Sequence, residues 1–558
     1  MHSPQPWLDA YPHCLRDYAP DLSTLPAHPG GLAAAAARRF GERAAFTVML
    51  PGGASGTLSF AQVDALSGAF AAYLAGPLGL KPGDVVGVQL PNSLHYPVAV
   101  LGAWRAGLIV TNINPLYTPR ELEHQLRDSG ARALVACDLF AATAAGVIEA
   151  TGVTPILASL ADFLPAPVAA AVRQGMPAPA LALPHVRFMD ALEAGRALGP
   201  LPERTHGTAL YQYTGGTTGR SKGAVVTAAN VLSAVRMASD FMAAYGKPFR
   251  EGDTALTVLP LYHVFAFVLN FLAYLNAGAH NLLIPNPRPL ANLRPAFEAH
   301  RIDWFAGVDT LYAGLLAEPW FRELAPRVGL SISGGTALRP ATSEAWRAAV
   351  GPVVEGYGLT ESTCIVACSP PGAGRPGTVG VPMPGCEVRI VDAGGADAPP
   401  GTPGEIVVRG PQIVPAYLNQ PEETEAAFAG GWLRTGDIGM FEEGGHLRIL
   451  DRSKDVILVS GFNVYPNEVE AVIASHPGVA EVAVIGVPDP RTGEAVHAFV
   501  APRGPGLDAA ALIRHCRDNL AAYKVPREVT LRDQLPKSPV GKILRAALRD
   551  PAGNGAGG

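Results

Sequence analysis

From Tyr213 to Ala224 the chain reads YTGGTTGRSKGA, which crowds four glycines, four hydroxyls and one lysine into a short loop. The glycines are Gly215, Gly216, Gly219 and Gly223, the hydroxyls Thr214, Thr217, Thr218 and Ser221, the cation Lys222. Glycines let consecutive backbone N–H groups converge on one anion. Hydroxyls can bond phosphate oxygens or a metal, and a lysine adds a mobile point charge. The chemistry this suits is the holding of a polyphosphate. It is not a Walker A loop, which needs glycine directly before the lysine and Ser or Thr directly after it. Here Ser221 precedes Lys222 and Gly223 follows, so a P-loop NTPase is excluded by spacing.

Other residues of the right type are scattered along the chain. Lysine is scarce: the seven are Lys81, Lys222, Lys247, Lys454, Lys524, Lys537 and Lys542. Where arginine is the default cation, a retained lysine points to a need for a flexible primary amine. His263 follows an apolar run in LPLYHVFAF, and Ser333-Gly334-Gly335 makes a tight turn with room for a flat ligand. EGYGLTE supplies Glu361, a carboxylate able to hold a hard cation. GGWLRTGDIG sets Asp437 in what reads as a glycine-bounded turn, and PKSPVGKILR places Lys542 in a loop near the end. Each has a plainer reading alone: a glycine-rich hairpin, a core histidine, a surface glutamate, a solvated lysine.

The elements that must position these residues can be read from periodicity. Thr57 to Gly76 reads as a strand and an amphipathic helix, Asp84 to Leu90 as a strand, Leu94 to Ala106 as a helix and Ile109 to Ile113 as a strand. That is a βαβ unit and implies a parallel sheet with covering helices. The pattern continues with a helix over Glu121 to Ser129 and a strand over Ala133 to Cys137. Residues 142–202 read as helices and loops. Strands Ala209 to Tyr213 and Ala224 to Thr227 flank the glycine-rich loop. Further strands are expected at Thr254 to Leu259, Ile302 to Val308, Val328 to Ser333 and Val353 to Tyr357. From about 370 to 450, CEVRIVD, GEIVVRG and HLRIL have the period of antiparallel strands. The charged run Asp451 to Asp455 marks a linker, so a domain boundary is placed at 451. A compact α+β unit follows, ending in PAGNGAGG (551–558), which is expected to be disordered.

Composition bounds the class. With 558 residues, 48% hydrophobic and 16% charged, the chain is globular and long enough for several units of structure. A net charge of −5 gives no reason to expect nucleic acid. Six scattered cysteines without CxxC or zinc spacing fit reduced thiols in a cytoplasmic protein. The first residues lack a basic segment followed by an apolar one, so no secretory signal is expected. Val264 to Ala279, the most apolar stretch, is too short to span a bilayer and reads as a buried helix.

Together, YTGGTTGRSKGA, SGG at 333–335, EGYGLTES at 355–362, GEIVVRGP at 404–411, GWLRTGDIG at 431–439, DRSKDVILVSGFNVYPNEVE at 451–470 and PKSPVGKILR at 536–545 stand in the order typical of adenylate-forming enzymes. That superfamily contains acyl-CoA synthetases, luciferases and peptide-synthetase adenylation domains, and the resemblance covers nearly the whole chain. NPLYTPRELEHQLRDSGA (114–131) and ILVSGFNVYPNEVE (457–470) look specifically like bacterial long-chain fatty acid–CoA ligases.

The resemblance implies an α/β fold: a large N-terminal domain of stacked α/β sheets (1–450) with a β subdomain at about 370–450, and a small mobile C-terminal α+β domain (451–558) hinged at Asp451. It implies two steps. A fatty acid carboxylate attacks the α-phosphorus of ATP, giving acyl-AMP and pyrophosphate; the thiol of coenzyme A then takes the acyl group. By resemblance, Lys222 and the loop from Thr214 through Gly215, Gly216, Thr217, Thr218 and Gly219 handle the β- and γ-phosphates. Thr214 and Glu361 would hold Mg²⁺. Gly334, Gly335, Thr336, Glu355, Gly356, Tyr357, Gly358 and Thr360 would frame the nucleotide. Asp437, with Arg452 and Lys454 beside it, would hold the ribose, and Lys542 would reach the carboxylate and α-phosphate. After rotation about Asp451, Ser460 and Gly461 would meet the pantetheine arm, where a side chain at 461 would narrow the tunnel. Lys524 would contact a CoA phosphate, and His263 would shape the acyl and thiol channels.

Three departures stand out. Arg220-Ser221 and Thr336-Ala337 replace smaller or more apolar residues. Asp309 stands where an asparagine is usual near the acyl pocket, and a carboxylate is unfavourable beside a bare alkyl chain. Alternatives within the chemistry are a medium-chain or aryl-acid CoA ligase or an acyl-AMP ligase. A non-catalytic acyl or nucleotide sensor belongs to another class. Fatty substrates partition into bilayers, which suits peripheral membrane association at the inner face; monomer and homodimer both stay open.

Overall fold

The computed structural model describes residues 5–549 apart from 203, 215–220, 400 and 539–540. Two large sheets carry the first part of the chain. One, among the described residues, has seven strands, with Val85–Gln89 near its centre between Ala131–Cys137 and Ile109–Asn112. Its pairings are parallel except for the last, the antiparallel hairpin Thr208–Tyr213 with Gly223–Thr227. The other has nine strands and a parallel centre that includes Thr254–Thr257, Ile302–Gly307, Val328–Ser333 and Val353–Tyr357. Central strands such as Val85–Gln89 are buried along their whole length, as expected of a parallel sheet covered on both faces.

Helix starts follow local chemistry. Ser59 with Gln62, Thr118 with Glu121 and Thr227 with Asn230 each form reciprocal caps for the helices Phe60–Ala75, Pro119–Ser129 and Ala228–Ala244. Such a cap is worth about 1 kcal/mol. The helix His95–Arg105 lies in the core, with the Trp104 indole N–H donating to Ala209 O at 2.7 Å.

A polar ladder ties the two sheets together beside the future site. Asn92 donates to Thr257 O (3.2 Å) and Leu259 O (3.0 Å) and accepts from Leu261 N–H (2.8 Å). Tyr96 O–H donates to Leu261 O and Gln212 Nε2 to Tyr262 O. These bonds are sheltered from water, so the segment leading to His263 has a fixed course. The apolar run after His263 is the buried helical stretch expected from sequence, with a π-helical section at Phe267–Ala273. Asn270 inside it donates to Thr257 Oγ1. Among the described residues no helix is long and apolar enough to cross a membrane.

An antiparallel four-stranded sheet follows: Glu387–Val391, Gly404–Arg409, Leu433–Phe441 and Leu447–Arg452. The last part of the chain builds a further sheet around Val479–Asp489 and Gly493–Pro502, with helices Pro466–Ala474 and Ala509–Asn519. It has apolar cores of its own, including Val469, Ile473, Val484, Val500 and Leu512 on one side.

The α/β expectation holds, with local corrections. Residues 142–202 contain strands Thr154–Ala158 and Val186–Arg187 as well as helices. Both are short, and proline and alanine obscured their pattern. Asp437 lies within the nine-residue strand Leu433–Phe441 and not in a turn; the flanking glycines accompany an irregularity in its pairing. The tail 551–558 lies outside the described residues.

Candidate active site

The carboxyl ends of the parallel strands converge, the usual place for a site in an open α/β sheet. Val353–Tyr357 delivers Tyr357, whose hydroxyl donates to Asp437 Oδ2 at 2.6 Å. Asp437 Oδ1 pairs with Arg452 Nε, also at 2.6 Å, because the two residues are register partners on neighbouring strands. Asp437 is buried, and burial raises its carboxyl pKa while Arg452, Tyr357 and Lys542 oppose the rise. Two partners leave part of the carboxylate's capacity of about four lone-pair sites for a ligand.

Lys542 joins this group from near the end of the chain. Its loop is closed by Ser538 N–H donating to Lys542 O (2.7 Å) and Lys542 N–H donating to Ser538 Oγ (3.2 Å). Burial, then Arg452, hold its ammonium pKa below the ordinary lysine value, and Asp437 works the other way. His263 feels Lys542: burial first, then that ammonium, push the imidazole down to about 4, so it is neutral at neutral pH. Both side chains keep open surface although protein surrounds them. Side chains that project into a cleft have this combination of properties. A neutral imidazole and a cation thus share one cleft with the Asp437–Arg452 pair.

The glycine pair expected from sequence to take a flat ligand adjoins it. At Gly334 a Cβ would come within 3.1 Å of the Phe265 ring and 3.4 Å of Gly356 O, and Gly335 has φ +76°. Ser333 Oγ and Thr336 Oγ1 are buried without a hydrogen-bond partner among the described residues, as suits the polar edge of a ligand. Glu355, the register partner of Ser333, has its carboxyl pushed up to about 7, chiefly by burial. Gly358 is forced by close packing: a Cβ would sit 1.8 Å from Cys364 O. Thr360 and Glu361 follow in the short 3₁₀ turn Thr360–Ser362.

The glycine-rich loop starts where expected, between paired strands. Thr214 N–H donates to Lys222 O (2.9 Å), and Ser221 Oγ donates to Thr214 O. Gly215, Gly216, Thr217, Thr218 and Gly219 lie outside the described residues. Lys222 pairs with Glu423 and lies 5.2 Å from the centre of the Tyr417 ring. Tyr417 O–H donates to Glu361 Oε1 at 2.5 Å, so one aromatic residue links the loop's lysine to the acidic candidate metal ligand. Tyr417 and Glu423 were missed from sequence because the signal is not local. Residues 416–418 align with 223–225 through Val225 N–H to Ala416 O and Leu418 N–H to Gly223 O.

A second group lies in the C-terminal part. Ser460 and Gly461 form the two-residue turn joining Ile457–Val459 to Phe462–Val464, with φ of +52° and +84°. Nothing lies within 4 Å of a Cβ built at Gly461, so here the glycine answers to backbone conformation and not to lack of room. The Phe462 ring stacks on Tyr523 at 4.9 Å, and neighbouring Lys524 is bonded to both oxygens of Glu468 at 2.7 Å. Ser460 and Lys524 share no hydrogen bond or ion pair with the Asp437 group among the described residues. Lys454 is exposed, and burial and Arg452 together lower its pKa.

Asp309 differs most from its expected setting. It does not confront an alkyl pocket bare: Oδ1 accepts Arg339 N–H at 3.0 Å and Oδ2 accepts Arg339 Nε at 2.7 Å. Asp309 also opens helix Asp309–Ala317, where a carboxylate complements the helix dipole.

Residues 33–418 match the family model described as AMP-binding enzyme, and residues 468–542 match its C-terminal domain. The chain is 43% identical over 527 residues to a long-chain-fatty-acid–CoA ligase of Escherichia coli O6:H1, covering 92% of each. It is also 43% identical over 530 residues to the one of Salmonella typhimurium, covering 93% of each. Among solved structures, an anthranilate CoA ligase in complex with anthranoyl-AMP superimposes with TM-score 0.82 at 28% identity, over 95% of this chain and 98% of that one. The chain belongs to the AMP-binding enzyme family.

Proposed function

We propose that the protein is an AMP-forming long-chain fatty acid–CoA ligase. It joins a fatty acid to ATP as acyl-AMP with release of pyrophosphate, then passes the acyl group to coenzyme A with release of AMP. The observation that carries the reading is Asp437 held by Tyr357 and Arg452 at 2.6 Å each, with Gly541, next to Lys542, packed against Thr310 and Val308 at the end of a neighbouring strand. Membership of the family, and relatives bearing that name at 43% identity, support the substrate class.

In the first step two anions must meet, so neutralising charge and fixing geometry carry the catalysis. Lys542 brings a cation on a flexible stem to the carboxylate and the α-phosphate. Lys222, released from Glu423, meets the β- and γ-phosphates. The remaining lone pairs of Asp437 accept the ribose hydroxyls, while Arg452 and Tyr357 fix its carboxylate. The glycine pair Gly334 and Gly335 takes the adenine, with Glu355, Gly356, Gly358 and Thr360 beside it. His263, uncharged, lines the acyl and thiol channels without competing for the carboxylate.

Magnesium fits the residues present. Glu361 has one oxygen on Tyr417 and Thr214 offers a hydroxyl, a sparse donor set of the kind Mg²⁺ uses beside substrate phosphates. Bound there, the ion would neutralise phosphate charge. For the second step, the unit after Asp451 turns, withdraws Lys542 and brings the Ser460–Gly461 turn to the pantetheine arm, with Lys524 exchanging Glu468 for a CoA phosphate. The setting is the cytoplasm, and a substrate that partitions into bilayers brings loose contact with a membrane surface, testable by cosedimentation with liposomes.

The deciding experiment measures pyrophosphate release with Mg-ATP across carboxylates from acetate to oleate plus benzoate, with and without CoA. Sustained turnover with long-chain acids that needs CoA is expected. A preference for short or aryl acids would overturn the substrate class, and absence of release with every acid would overturn the enzyme reading.

A further inference from the structure

The stretch Val308–Thr310, at the end of strand Ile302–Gly307, meets the C-terminal part of the chain twice. Arg339, clamped by both oxygens of Asp309, extends its Nη1 to Ala480 O at 3.2 Å. Ala480 belongs to strand Val479–Asp489. The second contact is at Gly541, next to Lys542, where a Cβ would come within 2.8 Å of Thr310 Oγ1 and 3.7 Å of Val308 Cγ2. Asp309 is buried, so its carboxylate fixes the planar guanidinium in one orientation. A lysine would keep the backbone N–H bond to Oδ1, but its one ammonium cannot hold Oδ2 and also present a second donor to Ala480 O in a set direction.

We propose that Arg339, oriented by Asp309, is a positioning residue for Lys542: it latches Ala480 so that the C-terminal unit rests with Lys542 in the cleft. This rests on the two-step function proposed above. The latch exists only in the arrangement that forms acyl-AMP. It must open before the unit can turn, so it sets the balance between the two half-reactions without touching substrate. Asp309 thereby acquires a role, because an acid holds the guanidinium Nε in a charge-assisted bond where an amide would make a weaker contact.

The test compares the two half-reactions in the same preparation of the full chain. Acyl-AMP formation is followed as pyrophosphate release in a single turnover with oleate, and thioester formation is started from supplied oleoyl-AMP and CoA. Loss of folded protein lowers both rates alike and cancels in their ratio. Arg339→Met is expected to lower the ratio of acyl-AMP formation to thioester formation about 5- to 10-fold, Asp309→Asn by less, and Arg339→Lys to restore only part of the loss. A ratio within twofold of the unsubstituted chain, or a raised ratio, overturns the latch. If the unsubstituted chain itself forms no acyl-AMP, the proposed function fails, and that outcome is visible before any variant is compared.

Discussion

Replacing Asp437 by Asn keeps the side chain's shape and removes its charge from the centre of the cleft. The carboxylate accepts from Tyr357 and Arg452 at 2.6 Å each. An amide can accept at one side only, so its NH₂ would face one of these donors. Hydrogen bonds to charged groups contribute about 1.5–3 kcal/mol. Arg452 is partly exposed, so part of the loss is screened. A net effect of about 2–3 kcal/mol on the transition state for acyl-AMP formation corresponds to a rate loss of about 30- to 150-fold. Single-turnover pyrophosphate release without CoA, over a range of ATP concentrations, reads both the rate and the apparent affinity for ATP. Tyr357→Phe removes one bond and leaves the charge, so it should lose less. If Asp437→Asn forms acyl-AMP within threefold of the unsubstituted rate at every ATP concentration, the assignment of the ribose site is wrong.

Further outcomes follow from the same geometry. Lys542→Ala should slow acyl-AMP formation about 100-fold or more, in the range for losing one aimed charge-stabilising donor, while thioester formation from supplied acyl-AMP stays within about threefold. Gly358→Ala sets a Cβ against the Cys364 carbonyl and should cost about 1–3 kcal/mol, read as a lowered midpoint in urea. Two buried groups give opposite pH dependences. His280 is held at about 4, mainly by burial, so its contribution is full above pH 6.5 and is lost as pH falls towards 4. Glu355 is held at about 7, so its carboxyl favours the fold below pH 4.5 and loses that contribution as pH rises towards 7. Relative to His280→Gln the unsubstituted chain should therefore weaken on the acid side, and relative to Glu355→Gln on the neutral side. Melting temperatures across pH 4–8 check both signs.

Much of the candidate site was legible because its chemistry is concentrated in short motifs. Lys542, Asp437 and Arg452 could be named from their local sequence, and the sheets could be placed because buried parallel strands form apolar runs. What escaped depends on partners distant in the chain. Asp437 looked like a turn residue because glycines flank it, yet pairing with the strand that carries Arg452 makes it extended. Asp309 looked like an unfavourable charge because Arg339, thirty residues on, is brought to it only by folding. Tyr417 carried no motif at all; its place between Lys222 and Glu361 comes from a chain crossing. At Gly461 the need for glycine was visible, but the left-handed turn that also calls for it was not.

That crossing also bears on the order of biosynthesis. The hairpin flanking the glycine-rich loop is synthesised roughly two hundred residues before Tyr417 and Glu423, since Lys222 and Glu423 are separated by 201 positions. Strand pairs of such long sequence separation form late, after the entropy of closing the intervening chain has been met. A nascent polypeptide halted near residue 400 would have made both hairpin strands and would lack the neighbours that the loop's lysine has in the finished protein. The link through Tyr417 from the loop's lysine to Glu361 would then come late in translation, after most of the parallel sheets have been made.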